Sequence, residues 1–492
     1  MTQPSPQPAT AATGETGRRF VAHVIDGRPC ESADGARFAS VSPWSREPWV
    51  DVALGTDVDA QRAITAARRA FDEGPWPRMG FRERGAILHR LAGLVEEHRE
   101  QLAHADTSDM GKPIADMRNA DIPRTAENLR FFADHARLGT GEVYPMDSGH
   151  HAYTRHEPAG VVAAIAPWNF PLMLESWKVA PALAWGNTVV LKPAEQSPAS
   201  ATLLALLALE AGLPPGVLNV VHGFGPGGAG EALTTSGLVD RITFTGESAT
   251  GRVIAAAAAR NLTPVSLELG GKGANIVFAD ADLDNAVDWS IKAVFSNSGQ
   301  VCVAGSRLYV ERGVYDDFVA RFVAAAEALR VGDPFSESTR IGPLSSEEHF
   351  RKVAGFLDHL DSDGGVILTG GLGDGWVVRP TVIVDVAPEA RVCREEVFGP
   401  VVTITPFDGE DEAVRLANDT PYGLNAMLFT ERLGRAHRVA ARLRAGTVWL
   451  NCFFVRDLRA PFGGVGDSGI GREGGTFSRE FFTEPKAVVA KV

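Results

Sequence analysis

The chain has 492 residues, enough at roughly 150 per domain for about three domains with large cores. Its 48 Lys and Arg stand against 61 Asp and Glu, a net charge of −13 that argues against general nucleic-acid binding, while 45% hydrophobic and 22% charged residues exclude a mostly disordered or fibrous chain. Four scattered cysteines, Cys30, Cys302, Cys393 and Cys452, form no C-x-x-C pair, so neither a disulfide framework nor a zinc knuckle is expected.

In chain order, residues 1–18 lack the basic start and apolar core of a secretory signal and read as a disordered tail. No apolar run approaches the roughly 18 residues that span a bilayer, so no membrane partner is expected, and free thiols fit a reducing, cytoplasmic setting. Thr56 with Asp59 three residues on can cap the helix VDAQRAITAARRAF, and helical periodicity continues to about residue 136. From Val161 to Gly270, β-branched runs (VVAAIA, TVVL, VLNVV, DRITF, PVSLEL) alternate with Ala- and Leu-rich helical runs. That alternation predicts a doubly wound α/β unit with a parallel sheet, a frequent setting for nucleotides. A second α/β series runs from ANIVFA (274–279) through RLYVER, GGVILTGG, VVTITPF and NAMLFT to GTVWLN. No internal repeat is visible.

Several short segments carry chemistry. GFGPGG (223–228) has G-x-G-x-x-G spacing between a predicted strand and helix, where glycines let backbone N–H groups approach a pyrophosphate; alone, such a loop is equally consistent with an ordinary turn. Glu195 follows the strand TVVLKP and can accept from ribose hydroxyls, which favours NAD over NADP because a carboxylate repels a 2′-phosphate. GQVCVAGSR surrounds Cys302 with small and polar residues, ELGGK puts Glu268 at a strand end, PWNFP puts Asn169 between two prolines, and EEVFGP supplies Glu396 and Phe398.

Taken together, PWNFP, KPAEQSP, FTGES, ELGGK, GQVCVAGSR, EEVFGP, YGLN and PFGG-x-x-x-SGIGRE resemble the NAD(P)-dependent aldehyde dehydrogenase superfamily, from about residue 20 to the C-terminus. The resemblance implies an α/β fold with a Rossmann-type cofactor domain (19–136 and 159–267), an α/β catalytic domain (268–450), a tunnel loop and return segment (451–476) and a small β flap (137–158 and 477–492) that joins homodimers or homotetramers. It places the nucleophile on Cys302, the general base on Glu268, the oxyanion amide on Asn169, and a lysine beside the reaction centre at Lys178. A thiolate makes the aldehyde carbon tetrahedral so that hydride can leave, and remains a good leaving group afterwards.

For the cofactor, NAD ahead of NADP, the resemblance implies Ile165, Pro167, Trp168, Lys192, Glu195, Gly225, Gly246, Ser248, Gly270, Glu396 and Phe398. Two residues depart from the pattern: Glu247, a carboxylate unfavourable near a pyrophosphate unless it points away, and Gly466, where a lysine is common.

For the substrate, it aligns Phe170, Trp177 and Phe462 with aromatic tunnel walls, and Ser296 with a position that many relatives fill with an aromatic. Arg124 and Arg456 stand where many relatives are apolar, and guanidinium in an aromatic tunnel suits a carboxylated substrate. The strings R-D-L-R-x-P-F-G-G and S-G-I-G-R-E-G-G look most like the 2-hydroxymuconate and 5-carboxymethyl-2-hydroxymuconate semialdehyde dehydrogenases. Three alternatives stay open: Arg456 pairing with Asp457 or Glu473 merely to order its loop, a betaine-type or broad-specificity enzyme, and a catalytically silent structural relative.

Overall fold

A computed structural model describes residues 17–360 and 364–492; the tail expected over 1–18 falls, across residues 1–16, outside the described residues. Five strands, Val161–Ile165, Thr188–Lys192, Leu218–Val220, Arg241–Thr245 and Val265–Glu268, lie parallel, and numbered along the chain their spatial order is 3-2-1-4-5. Their apolar runs are continuous rather than alternating because helices cover both faces, so nearly every strand residue is buried. The antiparallel strands His23–Ile25 and Arg28–Cys30 extend one edge of this sheet, and Gly469–Ile470 pairs with Leu267 and Glu268 at the other.

The strand order reverses between Val161–Ile165 and Arg241–Thr245. At that switch point a crevice opens beyond the carboxyl ends, lined by the turns that follow, Ala166 to Asn169 and Gly246 to Ser248. A short Gly-rich link leads from Glu268 to Ala274, the first residue of the strand Ala274–Val277 in a second, seven-stranded sheet. The site therefore sits in the seam between the sheets. The second sheet is parallel except for Val366–Leu372, which runs antiparallel to Val378–Val384.

The structure contains elements that the sequence pattern did not suggest. Val378–Val384 carries Pro380, which reads as a strand breaker yet is tolerated one strand in from the edge. Arg19–Val21, Pro48–Ala53 and Arg37–Val41 form a three-stranded sheet from strands too short for a clear period. Where the resemblance implies a β flap, a separate sheet joins Val143–Tyr144, His150–Pro158 and Thr483–Lys491, the last two pairing along their whole length with most side chains in contact with solvent. The helix Asp57–Asp72 starts as its sequence suggests, with the Asp59 carboxylate accepting the Thr56 backbone N–H at 3.3 Å. Among the described residues, no helix is long and apolar enough to cross a membrane.

Beneath the switch point the helix Pro171–Ala184 packs on buried acids. Glu175 is fully buried with neither carboxyl oxygen hydrogen-bonded among the described residues, and Asp106 accepts the Leu172 N–H at 3.4 Å. Asp109 holds the Ala199 N–H at 3.0 Å at the start of the next helix. Burial drives all three to retain their protons: Glu175 well above the usual range, Asp106 up to about 7 and Asp109 up to about 8.

Folded-state values above unfolded ones give stability that is complete below the unfolded carboxylate pKa and is lost as pH rises through the folded values. Glu175→Gln keeps the shape without the ionisable group. It should raise the melting temperature at about pH 9 and change it little near pH 5, as differential scanning fluorimetry across that range would show.

Candidate active site

The loop that carries Cys302 follows the helix Leu283–Phe295 through three consecutive left-handed residues: Asn297 (φ 50°), Ser298 (φ 53°) and Gly299 (φ 71°). For the two non-glycine residues this backbone costs about 1 kcal/mol or more each, so the surroundings must hold it. Asn297 Nδ2 donates to Asn169 O at 2.8 Å, Ser298 Oγ to Gly342 O at 3.0 Å, and Ser345 N to Gln300 Oε1 at 3.0 Å. In return Asn169 Nδ2 donates to Gln300 O at 2.9 Å, which leaves the second amide hydrogen for a ligand. The Asn169 amide and the Cys302 loop are thus one hydrogen-bonded unit.

The second wall is the strand end Glu268-Leu269-Gly270-Gly271. A Cβ on Gly270 would collide with Glu396 Oε2, and one on Gly271 would stand 2.5 Å from the Cys302 carbonyl. Only glycine allows the close approach in which the Gly271 N–H donates to Glu396 Oε1 at 2.9 Å. The Glu268 carboxylate is 4% exposed and neither oxygen accepts a hydrogen bond among the described residues; a Cβ on Gly463 would lie 2.5 Å from its Oε1. Behind it Lys178 Nζ pairs with Glu473 Oε1 at 3.2 Å and donates to Thr243 Oγ1 at 3.0 Å.

Desolvation controls the protonation of these groups. Burial, then the Glu473 carboxylate, pushes Glu268 well above the carboxylate range, against the pull of Lys178, Arg456 and Arg472. Burial pushes the Cys302 thiol up to about 12, reinforced by Glu396 and Glu268 and opposed by Arg456. Glu396 rises to about 7, again chiefly by burial. The resting site therefore holds a neutral thiol beside carboxyl groups that resist ionisation.

A cluster of aromatic rings lies alongside. The Arg456 guanidinium sits 3.9 Å above the Phe462 ring and 4.8 Å above that of Trp177, which packs on Phe132. Neither pairing considered for Arg456 forms: Asp457 is bound by Arg459 at 2.6 Å and Glu473 by Lys178, and one Arg456 terminal nitrogen is buried without a partner among the described residues. Arg124 lies on the helix Ile122–Arg137, 3.3 Å from Glu127, and its charge helps lower the Arg456 pKa to about 10, after burial. Phe170 lies under Lys112 Nζ, 3.9 Å from its ring centre. Ser296 is exposed, whereas Phe295 is buried against Phe322.

On the crevice side, Ile165 ends its strand, Pro167 and Trp168 follow it, and Trp168 meets Phe398 edge-on at 5.3 Å. Lys192 is buried, with Nζ on its neighbour's carbonyl, Pro193 O, at 2.9 Å and Glu195 Oε2 at 3.8 Å. A Cβ on Gly230 would stand 2.9 Å from Gly225 Cα and 3.4 Å from the Lys192 stem, so the start of the helix after the glycine loop packs between that loop and the lysine. The Gly246 N–H donates to Glu268 O at 3.0 Å and Ser248 Oγ to Asp467 O at 2.7 Å. Glu247 turns away to Lys352 at 3.0 Å. At Gly466, φ is +60° and a Cβ would stand 2.5 Å from Pro421 O, which accounts for glycine there. Thr243 and His349, both built into the site, were missed because no local motif marks them.

The sequence profile of the aldehyde dehydrogenase family matches residues 30–488. This chain belongs to that family. A 2-hydroxymuconic semialdehyde dehydrogenase of Pseudomonas sp. strain CF600 is 46% identical over 484 residues, spanning 96% of this chain and 99% of the relative. The mitochondrial aldehyde dehydrogenase of Homo sapiens is 45% identical over 460 residues, 92% of this chain and 89% of its own. Among solved structures, the NAD+ complex of an aldehyde dehydrogenase from Bacillus cereus superposes with a TM-score of 0.94 at 40% identity, covering 96% of this chain and 97% of that one. The chain is thus an oxidoreductase acting on aldehydes.

In this aldehyde dehydrogenase, Glu473→Gln removes the like charge that most opposes Glu268 ionisation after burial, and frees Lys178 to favour it. The acid limb of the kcat profile should move to lower pH, which rate measurements at saturating substrate from about pH 6 to 10 would detect.

Proposed function

We propose that the protein oxidises a carboxylated semialdehyde of the hydroxymuconate type, from aromatic-ring catabolism, to the carboxylic acid with NAD as acceptor. The carrying observation is Arg456, a buried cation stacked on two aromatic rings without an ion-pair partner among the described residues. A substrate carboxylate supplies that partner bidentately, with Arg124 adding to the local positive field. The Pseudomonas relative at 46% identity supports the reading by its name.

In this reading Cys302 loses its proton to solvent and its sulfur bonds to the aldehyde carbon, whose carbonyl electron pair moves to oxygen. The free hydrogen of the Asn169 amide and the Cys302 backbone N–H stabilise the oxyanion. Lys178, held by Glu473 and Thr243, tunes the charge around Glu268. Bound NAD supplies the hydride acceptor. A thioester is left on Cys302; Glu268, in its ionised form, takes a proton from water, the hydroxide adds to the acyl carbon, and the C–S bond breaks to release the acid and the Cys302 thiolate, which takes the proton back from Glu268.

Phe170, Trp177 and Phe462 wall the tunnel. The crevice fits the cofactor: Lys192 and Glu195 for the adenosine ribose, Gly225 for close backbone approach, Gly246 and Ser248 at a helix N-terminus, Ile165, Pro167 and Trp168 along the dinucleotide, and Gly270, Glu396 and Phe398 at the nicotinamide end. The carboxylate of Glu195 favours NAD over NADP.

The same reading divides the chain into a cofactor domain (19–136 and 159–267), a catalytic domain (268–450), a tunnel segment (451–476) and a flap (137–158 and 477–492) that builds a homodimer or homotetramer. Exposed Val143, Tyr144, Met146 and Val489 on the flap support this assembly. The four cysteines form no disulfide among the described residues, which suits a cytoplasmic setting. A betaine-type aldehyde, being cationic, is disfavoured by Arg124 and Arg456.

Arg456→Ala should raise KM for a semialdehyde bearing a carboxylate by roughly tenfold or more, and KM for a neutral aldehyde of similar length by far less. Parallel steady-state kinetics on the two substrates test this, and an equal effect on both would sink the carboxylate reading.

A further inference from the structure

Phe398 is one of the few non-glycine residues held at positive φ, +57°, and it lies two residues from Glu396, whose Oε1 accepts the N–H of Gly271 at 2.9 Å, the glycine that packs on the Cys302 carbonyl. A bulky residue in this conformation costs on the order of 1–3 kcal/mol and persists only where its neighbours over-determine it. Two of those neighbours, His349 and Val353, come from one helix, Glu347–Leu357. His349 Nε2 stands 2.7 Å from the Phe398 carbonyl, and its ring lies 5.0 Å from Trp168 and 5.8 Å from Phe398. One turn on, Val353 closes over the Gly399 backbone, where a Cβ would come within 3.0 Å of it. Across the segment, a Cβ on Gly299 in the nucleophile loop would collide with the Gly399 carbonyl.

We propose that His349 is a positioning residue that clamps the Glu396–Gly399 segment and thereby keeps the Glu396 carboxylate beside Cys302. The carbonyl of Phe398 can only accept, so the clamp needs a proton on Nε2, and the neutral imidazole provides it. Burial holds the ring neutral by lowering its pKa to about 4, with the Phe398 carbonyl and Glu247 opposing that shift and Lys352 assisting it. The helix is tied down through Ser346 Oγ, which accepts the His349 N–H at 3.1 Å, and through the Lys352–Glu247 pair at 3.0 Å. His349 acts on the thiol only through Glu396, the foremost of the charged groups that keep Cys302 protonated; Glu268 and Arg456 reach Cys302 from other elements.

The test reads the thiol in cofactor-free protein by its rate of alkylation with iodoacetamide at about pH 8.5, assigned to Cys302 by peptide mapping. His349→Phe keeps a ring and removes the donor, so Glu396 should swing away and Cys302 should alkylate about tenfold faster, a one-unit fall in pKa. His349→Gln, which retains a donor, should alkylate at the wild-type rate. Glu396→Gln should also be faster, and His349→Phe added to it should bring no further gain. Thermal melts verify folding of each variant, and His349→Leu substitutes if the Phe variant does not fold. A wild-type rate in the folded donor-less variant overturns the proposal, as does an acceleration that persists in the Glu396→Gln background.

Discussion

The central constraint in this protein is the burial of ionisable groups at the seam between two parallel sheets. Cys302, Glu268 and Glu396 occupy one junction, Glu268 buried and the other two half-buried, and desolvation drives all three toward their neutral forms. The local architecture follows from that. Gly270 and Gly271 bring backbone close enough to bind Glu396 and to pack on the Cys302 carbonyl. The left-handed run Asn297 to Gly299 aims the nucleophile loop at Asn169. Lys178 reaches Glu268 only from behind Glu473, where it tempers the environment without neutralising it outright.

Arg456 is the counterpart to this acidity. It is a cation in a mostly aromatic cluster, favouring the charged forms of Cys302 and Glu268 while lacking a direct carboxylate partner among the described residues. One unsatisfied guanidinium therefore serves two ends. It lowers the energy of an ionised thiol, and in the proposed reading it offers an incoming carboxylate a site whose desolvation was completed when the chain folded. The rings of Trp177 and Phe462 hold the guanidinium in place.

Much of this was legible in the sequence. The β-branched runs between Val161 and Leu269 announce a buried parallel sheet because such strands lack polar alternation, and PWNFP, ELGGK, GQVCVAGSR and EEVFGP each mark a place where backbone must approach closely or a polar group must stand at a strand end. What stayed hidden depends on distant partners. Val378–Val384 contains a proline that local rules read as a break, and the short N-terminal strands become strands only by pairing. Nothing near His349 shows that its ring meets a carbonyl 49 residues away, and nothing near Thr243 shows that it receives Lys178. The fate of Arg456 turned on which acid its neighbours had already claimed.

The most direct test of the account is to catch the covalent intermediate. Glu268→Gln protein mixed with NAD and a carboxylated semialdehyde, quenched in acid and measured by intact mass and peptide mapping, should carry one acyl group per chain as a thioester on Cys302, released by hydroxylamine. An unmodified chain during NADH formation, or an acyl group on Cys30, Cys393 or Cys452 instead, would contradict it.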